Sequence, residues 1–202
     1  MEKRLYFARH GETDWNVAFR MQGHTDIPLN ATGLKQAEAL AVHLEEAGIR
    51  PDRIYSSPLR RAMQTAQPTA ERTGLPVTPL EGLMEICYGE WEGLRYDEEI
   101  RALDPAFHTL WLSNRYLYAP KGGETGQEAL YRLAPAIRRV LEDGEGTALI
   151  VMHGAILKTM LFVLRGIPFS EFRDVPTIGN GEYMELDWAE AERFVREYTV
   201  TP

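Results

Sequence analysis

The sequence predicts an α/β fold with a largely parallel sheet. Two observations carry this. Short apolar or β-prone runs at residues 5–8, 54–55 and 148–152 each give way to polar residues, and each is followed by a stretch with helical spacing. Strands that alternate with helices pair in parallel, because each helix returns the chain to the same edge of the sheet.

The first strand, residues 5–8, runs into Arg9-His10-Gly11. Thr32 is the expected N-cap of a helix whose apolar face is Leu34, Ala37, Leu40, Ala41, Leu44 and Ala47, and Gly48 is placed to stop it. The second strand, residues 54–55, runs into Ser56-Ser57-Pro58-Leu59-Arg60-Arg61. Residues 58–73 then read as a helix closed by Gly74. Residues 96–121 break the alternation with Trp111, Tyr116 and Tyr118, and read as a mostly helical insertion or lid. A helix follows at residues 128–141. The third strand, residues 148–152, ends in His153-Gly154 and feeds a buried helix at residues 155–164, closed by Gly166. A late strand is expected at residues 182–186.

A chain of 202 residues most simply forms one domain, residues 1–202, with the insertion at about 96–121. Its formal net charge of -8 argues against nucleic acid as a partner, since a phosphate backbone demands a basic face. The one cysteine, Cys87, allows no intrachain disulfide and no thiolate cluster, and is read as a packed side chain. Together with an N-terminus that lacks the pattern of a secretion signal, it points to the cytoplasm. The most apolar stretch, residues 155–169, is broken by Lys158 and Arg165, so no membrane partner is expected. Oligomeric state is not legible.

The three strand ends carry the chemistry. Ligands of open α/β sheets bind at the carboxyl ends of the strands. Here those ends bring two histidines and at least two arginines toward one edge. An arginine fork matches phosphate oxygens and keeps its charge. Neighbouring cations disfavour protonation of a histidine and keep a ring nitrogen nucleophilic. A second histidine would donate to the phosphoryl oxygens, and Gly11 and Gly154 would let backbone amides approach the anion. A carboxylic acid for the leaving oxygen completes the set.

Four motifs in order make the reading specific. Arg9-His10-Gly11-Glu12-Thr13 with Trp15-Asn16 resembles the signature of the histidine phosphatase superfamily, also called the phosphoglycerate mutase-like family. Met21-Gln22-Gly23, Asp26, Pro28-Leu29 and Thr32-Gly33 are similar to the segment that follows it. Ser56-Ser57-Pro58-Leu59, Arg61-Ala62 and Gln64-Thr65-Ala66 resemble its second motif. Glu85, Tyr88-Gly89 and Trp91-Glu92-Gly93 resemble the third, and Val151-Met152-His153-Gly154 the fourth. The resemblance implies a three-layer α/β/α sandwich with a mostly parallel sheet. It makes His10 the nucleophile that becomes phosphohistidine and Glu85 the proton donor. Arg9, Arg61 and His153 become the phosphate pocket, with Gly154 beside them and Asn16 and Gln22 as supporting contacts. Arg60 precedes the motif's arginine and is not the catalytic one. No metal and no cofactor are implied.

Glu81, Glu90 and Glu92 are the rivals of Glu85. His24, His43 and His108 read as surface or structural, and the insertion aromatics as its core or as substrate contacts. The expected activity is hydrolysis of a small phosphorylated metabolite. A cofactor-dependent phosphoglycerate mutase is the alternative, and a non-catalytic phospho-ligand binder is the weakest reading, because a binder needs no acid. The insertion decides between the first two. Its cations Arg95, Arg101, Arg115 and Lys121 are not adjacent, and Asp97, Glu98, Glu99 and Asp104 dilute them, whereas mutases of the family carry an adjacent arginine pair.

Overall fold

The structure, a computed structural model, describes residues 3–96, 98–144, 146–168, 171–172, 175 and 177–199. Asp97 in the insertion and Phe169 at the end of the apolar stretch lie outside the described residues. Five strands form one sheet: β1 (Arg4–Arg9), β2 (Arg53–Ser56), β3 (Val77–Pro79), β4 (Thr147–Met152) and β5 (Tyr183–Leu186), in the order β3-β2-β4-β1-β5. The β1–β4, β2–β4 and β2–β3 pairs are parallel, and β5 joins the β1 edge antiparallel.

Helices cover both faces, which is why strand residues 5–8 are apolar without alternation. Tyr6, Ala8, Ile54, Leu149 and Val151 face α2 (Ala31–Glu46) and α3 (Arg60–Thr73) through Leu40, Leu44, Ala62 and Ala66. On the opposite face, Leu5, Phe7, Ile150 and Met152 pack in one core with α6 (Gly126–Glu142), α7 (Gly154–Leu164) and α8 (Trp188–Thr199). This is a three-layer α/β/α sandwich. Burial of a large apolar side chain such as Phe7 contributes about 1.5–3 kcal/mol, so the two cores supply the main driving force.

Several boundaries differ from expectation for local reasons. Helix α2 is capped by Asn30, whose side chain accepts from Gly33 N, so Thr32 falls inside the first turn. Pro58 and Leu59 stay outside α3, which starts at Arg60. Helix α6 begins two residues before Glu128, because Thr125 and Glu128 form a capping box. Helix α7 starts one residue early, at Gly154, with His153 at its cap. Strand β3 and helix α8 were not expected. The first has only three residues, whereas Ala191, Phe194, Val195 and Tyr198 of α8 do carry helical spacing.

A single-turn helix α1 (Asp14–Val17) follows the first strand end. The insertion folds as α4 (Glu99–Leu103) and α5 (Pro105–Ser113). Trp111 anchors it edge-on against Trp91, with ring centroids 5.1 Å apart. Tyr116 bonds Tyr198, while Tyr118 is exposed; the first two aromatics are therefore structural.

Candidate active site

The register Arg9↔Met152 sets the ends of β1 and β4 side by side, so His10 and His153 leave the sheet together. His10 N donates to the Met152 carbonyl at 3.0 Å, and the two imidazole rings stand 5.1 Å apart at 60°. His10 Nδ1 lies 2.7 Å from the Gly11 carbonyl. A carbonyl only accepts, so Nδ1 carries the proton and Nε2 is left with its lone pair. Burial lowers the pKa of His10 well below the usual histidine value, and the Arg61 charge lowers it further. The ring is therefore neutral at pH 7.

His10 lines a cavity of about 320 Å³ together with Arg9, Asn16, Gln22, Arg61, Glu85 and Gly154, among others. Arg61, on the first turn of α3, is fully buried. Its Nη1 and Nη2 hold the carbonyls of Thr25 (2.8 Å) and Gly23 (2.7 Å), and its Nε has no partner among the described residues. Desolvation brings its pKa down to about 10, still charged at neutral pH. Arg60 is exposed, and its backbone N–H donates to Asp26 Oδ1. Arg9 donates from Nη1 to Ile178 O at 3.0 Å, and its buried Nε is unpaired among the described residues. A Cβ on Gly154 would lie 2.9 Å from that Nε, so only glycine lets the guanidinium rest on this backbone.

Gly11 does not have the role expected of it. Its N–H donates to Thr65 Oγ1 at 2.9 Å, and a Cβ there would lie 2.5 Å from Gly33 O. Close packing of the nucleophile loop on α2 and α3, not amide contact with an anion, requires this glycine.

His153 is fully buried, with Nε2 2.8 Å from Ser57 Oγ and Nδ1 unpaired among the described residues. Burial first, then Arg61, lowers its pKa well below normal. Asn16 lines the cavity while its Oδ1 accepts from Thr13 N and Oγ1 to cap α1, which leaves its amide nitrogen for a ligand. Gln22 is buried beside it, with Oε1 unpaired among the described residues.

Among the candidate acids, Glu85 is the carboxylate that lines the cavity. Its Oε2 accepts from Ala155 N at 3.0 Å, and its Oε1 from Ile156 N at 2.8 Å and Ile86 N at 2.9 Å. The carboxylate thus sits on the N-terminus of α7, a favourable place for negative charge. Its rivals are elsewhere: Glu81 is exposed, Glu90 pairs with Lys121, and Glu92 holds the backbone of His24, Thr25 and Tyr88. His24 Nε2 donates to the Glu85 carbonyl at 2.8 Å, and His43 is exposed on α2. His108 is buried beside Trp91 in the insertion.

Sequence reasoning named Thr65 only within a motif and Arg115 only among the insertion cations, and it gave no role to Arg132 or Lys158. Thr65 and Arg132 hold backbone near the site. Arg132, on α6, donates to the carbonyls of Gly82, Met84 and Glu85 and pairs with Glu124 at 2.6 Å. Arg115 and Lys158 line the same cavity. Arg132 leaves no trace in sequence, because its backbone partners are distant along the chain.

Comparison with known proteins places this constellation. The chain is 32% identical to the glucosyl-3-phosphoglycerate phosphatase of Mycobacterium tuberculosis over 95% of its length and 89% of that protein. It is 35% identical to a metal-independent phosphoserine phosphatase of Arabidopsis thaliana over 77% of this chain and 66% of that one. The solved structure of Bacillus stearothermophilus YhfR superposes with a TM-score of 0.83 at 34% identity, covering 91% of this chain and 90% of that one. The sequence pattern of the histidine phosphatase superfamily (branch 1) spans residues 5–201, and with the paired histidines, Arg9, the buried Arg61 and the Glu85 carboxylate around one cavity, the chain belongs to that superfamily.

Proposed function

We propose that this metal-independent phosphatase hydrolyses a small phosphorylated metabolite through a phosphohistidine on His10. Arg9 and Arg61 bind the phosphoryl oxygens, with Asn16, Gln22 and Gly154 around them. His10 Nε2 attacks phosphorus as the ester P–O bond breaks, and Glu85 gives its proton to the departing oxygen. His153 steadies the charge that moves onto the phosphoryl oxygens. Water then attacks the phosphohistidine, its proton returns to Glu85, and inorganic phosphate leaves. The observation that carries this reading is the Nδ1 contact to Gly11 O, which leaves Nε2 as the basic nitrogen of a ring that lines the cavity.

Residues 1–202 act as one domain in this reading, with the insertion at about 96–121 as a lid. Its support is Trp111 and Ile100 packing in the same core as α6 and α7. The lone Cys87, unpaired by any disulfide, accords with a cytoplasmic enzyme. Among the described residues no helix is long and apolar enough to cross a membrane.

Release of phosphate across a panel of metabolites, with isomerisation of 3-phosphoglycerate followed in parallel, tests the activity. Hydrolysis should dominate, and the His10→Ala protein should release none. Primed enzyme that interconverts 3- and 2-phosphoglycerate faster than it hydrolyses any panel member would make it a mutase. Of the insertion cations, Arg115 lines the cavity, whereas Arg95 and Lys121 pair with Glu98 and Glu90 and Arg101 is exposed. That is thin provision for the doubly anionic intermediate a mutase must retain.

A further inference from the structure

Glu92 is not among the residues that line the cavity, yet it stands one peptide away from Arg61, which does. The peptide unit between Gly23 and His24 donates its N–H to Glu92 Oε1 at 2.9 Å and offers its carbonyl to Arg61 Nη2 at 2.7 Å. Thr25 repeats the pattern. Its N–H donates to Glu92 Oε2 at 2.9 Å, and its carbonyl accepts from Arg61 Nη1 at 2.8 Å. Both carboxylate oxygens are thus joined to both Nη groups of the guanidinium across residues 23–25. This is an ion pair bridged by backbone.

The bridge depends on the residues at each end. Gly23 has a φ of 50°, and a Cβ there would lie 2.1 Å from Glu92 Oε1, so only glycine lets the carboxylate reach this peptide. Burial alone would raise the Glu92 pKa, but the bonds from Thr25, His24 and Tyr88 outweigh it, and the carboxyl lies below its usual value. It is therefore charged at neutral pH. The N–H groups of His24, Thr25 and Tyr88 and the Thr25 hydroxyl all donate to it, so an amide in its place would set an NH₂ against a donor. Hydrogen bonds in a chain polarise one another, so the negative charge on Glu92 strengthens the grip of the Gly23 and Thr25 carbonyls on Arg61. With Nη1 and Nη2 clamped, the guanidinium plane is fixed. Its buried Nε, unpaired among the described residues, is fixed with it. An arginine fork matches phosphate oxygens only in the right orientation.

We propose that Glu92 is a positioning residue: through the Gly23–His24 peptide and Thr25 it fixes the plane of the Arg61 guanidinium against the phosphoryl oxygens. It touches neither the substrate nor the reacting atoms. This rests on the phosphatase reading of Arg61 and His10.

The test is a double-mutant cycle. Glu92→Gln is made in the wild type and in Arg61→Lys, where a point charge has no plane to fix. The readout is kcat/KM for p-nitrophenyl phosphate and for glycerol 3-phosphate. In the wild type Glu92→Gln should lower both by the same factor, roughly ten- to a hundredfold, within the coupling range of residues in one hydrogen-bond network. As competitive inhibitors, orthovanadate, which mimics the phosphoryl transition state, should weaken more than inorganic phosphate. In Arg61→Lys the same substitution should cost less than about threefold. Glu92→Asp keeps the charge one methylene short and should give a smaller loss of the same kind. It serves if thermal denaturation shows that Glu92→Gln is not folded. Losses that multiply in the double variant would make Glu92 structural only, and a loss much larger on glycerol 3-phosphate than on p-nitrophenyl phosphate would make it act on the proton donor; either overturns the proposal. A wild-type protein with no His10-dependent hydrolysis even of p-nitrophenyl phosphate would show a different failure, that of the phosphatase reading, and the positioning role would go with it.

Discussion

Glu85 has both carboxylate oxygens fixed by backbone N–H groups of α7 and of Ile86, so it is aimed before any ligand arrives. Such fixing suits a proton donor that must meet one oxygen of one substrate. Glu85→Gln should slow hydrolysis of alkyl phosphates by roughly 100- to 10,000-fold, the usual range for general acid catalysis. p-Nitrophenyl phosphate should suffer far less, because its leaving oxygen needs little protonation. Equal losses on both would move the acid elsewhere. The arginines are just as position-specific: Arg61 is buried against the Gly23 and Thr25 carbonyls, while its neighbour Arg60 is exposed. Arg61→Ala should therefore cost far more activity than Arg60→Ala, and the reverse order would place the wrong arginine in the pocket. At this scale the sequence was a good guide wherever a motif names a side chain. It failed for Gly11, whose reason is a backbone-to-backbone approach to Gly33 that no local pattern reveals.

Helix α6 reaches the site through one side chain. The Arg132 guanidinium gathers three carbonyls of residues 82–85 and the Glu124 carboxylate, and so holds the segment that carries Glu85. Arg132→Met should destabilise the protein by about 2–4 kcal/mol, since it removes the donor that the Gly82 and Met84 carbonyls share and the charge partner of Glu124. Denaturant unfolding measures that. If Arg132 positions the acid, kcat on an alkyl phosphate should also fall by more than kcat on p-nitrophenyl phosphate; a uniform fall would make its role structural only. Helices and long buried strands were legible from periodicity and breakers, as Gly74 at the end of α3 shows. Their starts were less so, because Asn30 and Thr125 compete with neighbouring residues as caps and the backbone decides between them. Strand β3 pairs only three residues with β2, too few to leave a pattern.

The molecule as a whole brings cations to the carboxyl edge of its sheet while the rest of the chain is acidic, an arrangement that concentrates anionic substrate at one mouth. It also buries two neutral histidines there. Their folded-state pKa values lie below the ordinary 6.5, so between those values and 6.5 the unfolded chain binds more protons than the folded one. Their contribution is unchanged above about pH 6.5 and turns unfavourable as pH falls through that window, by up to about 2.7 kcal/mol per pH unit for the pair. Denaturant midpoints from pH 7.5 to 5 should fall less steeply in the His10→Asn, His153→Asn protein than in the wild type; parallel profiles would mean the rings are not buried neutral. Sheet, layers and site edge were foreseeable because strand ends and motifs coincide, whereas the cavity's outer cations depend on how the insertion folds back. The central claim is that His10 Nε2 takes the phosphoryl group. Rapid quench with a ³²P-labelled substrate measures it directly: the account predicts label on His10 that is stable in base and lost in acid, and absent from His10→Ala. An acid-stable phosphoester on a serine, or steady turnover in the His10→Ala protein, would contradict it.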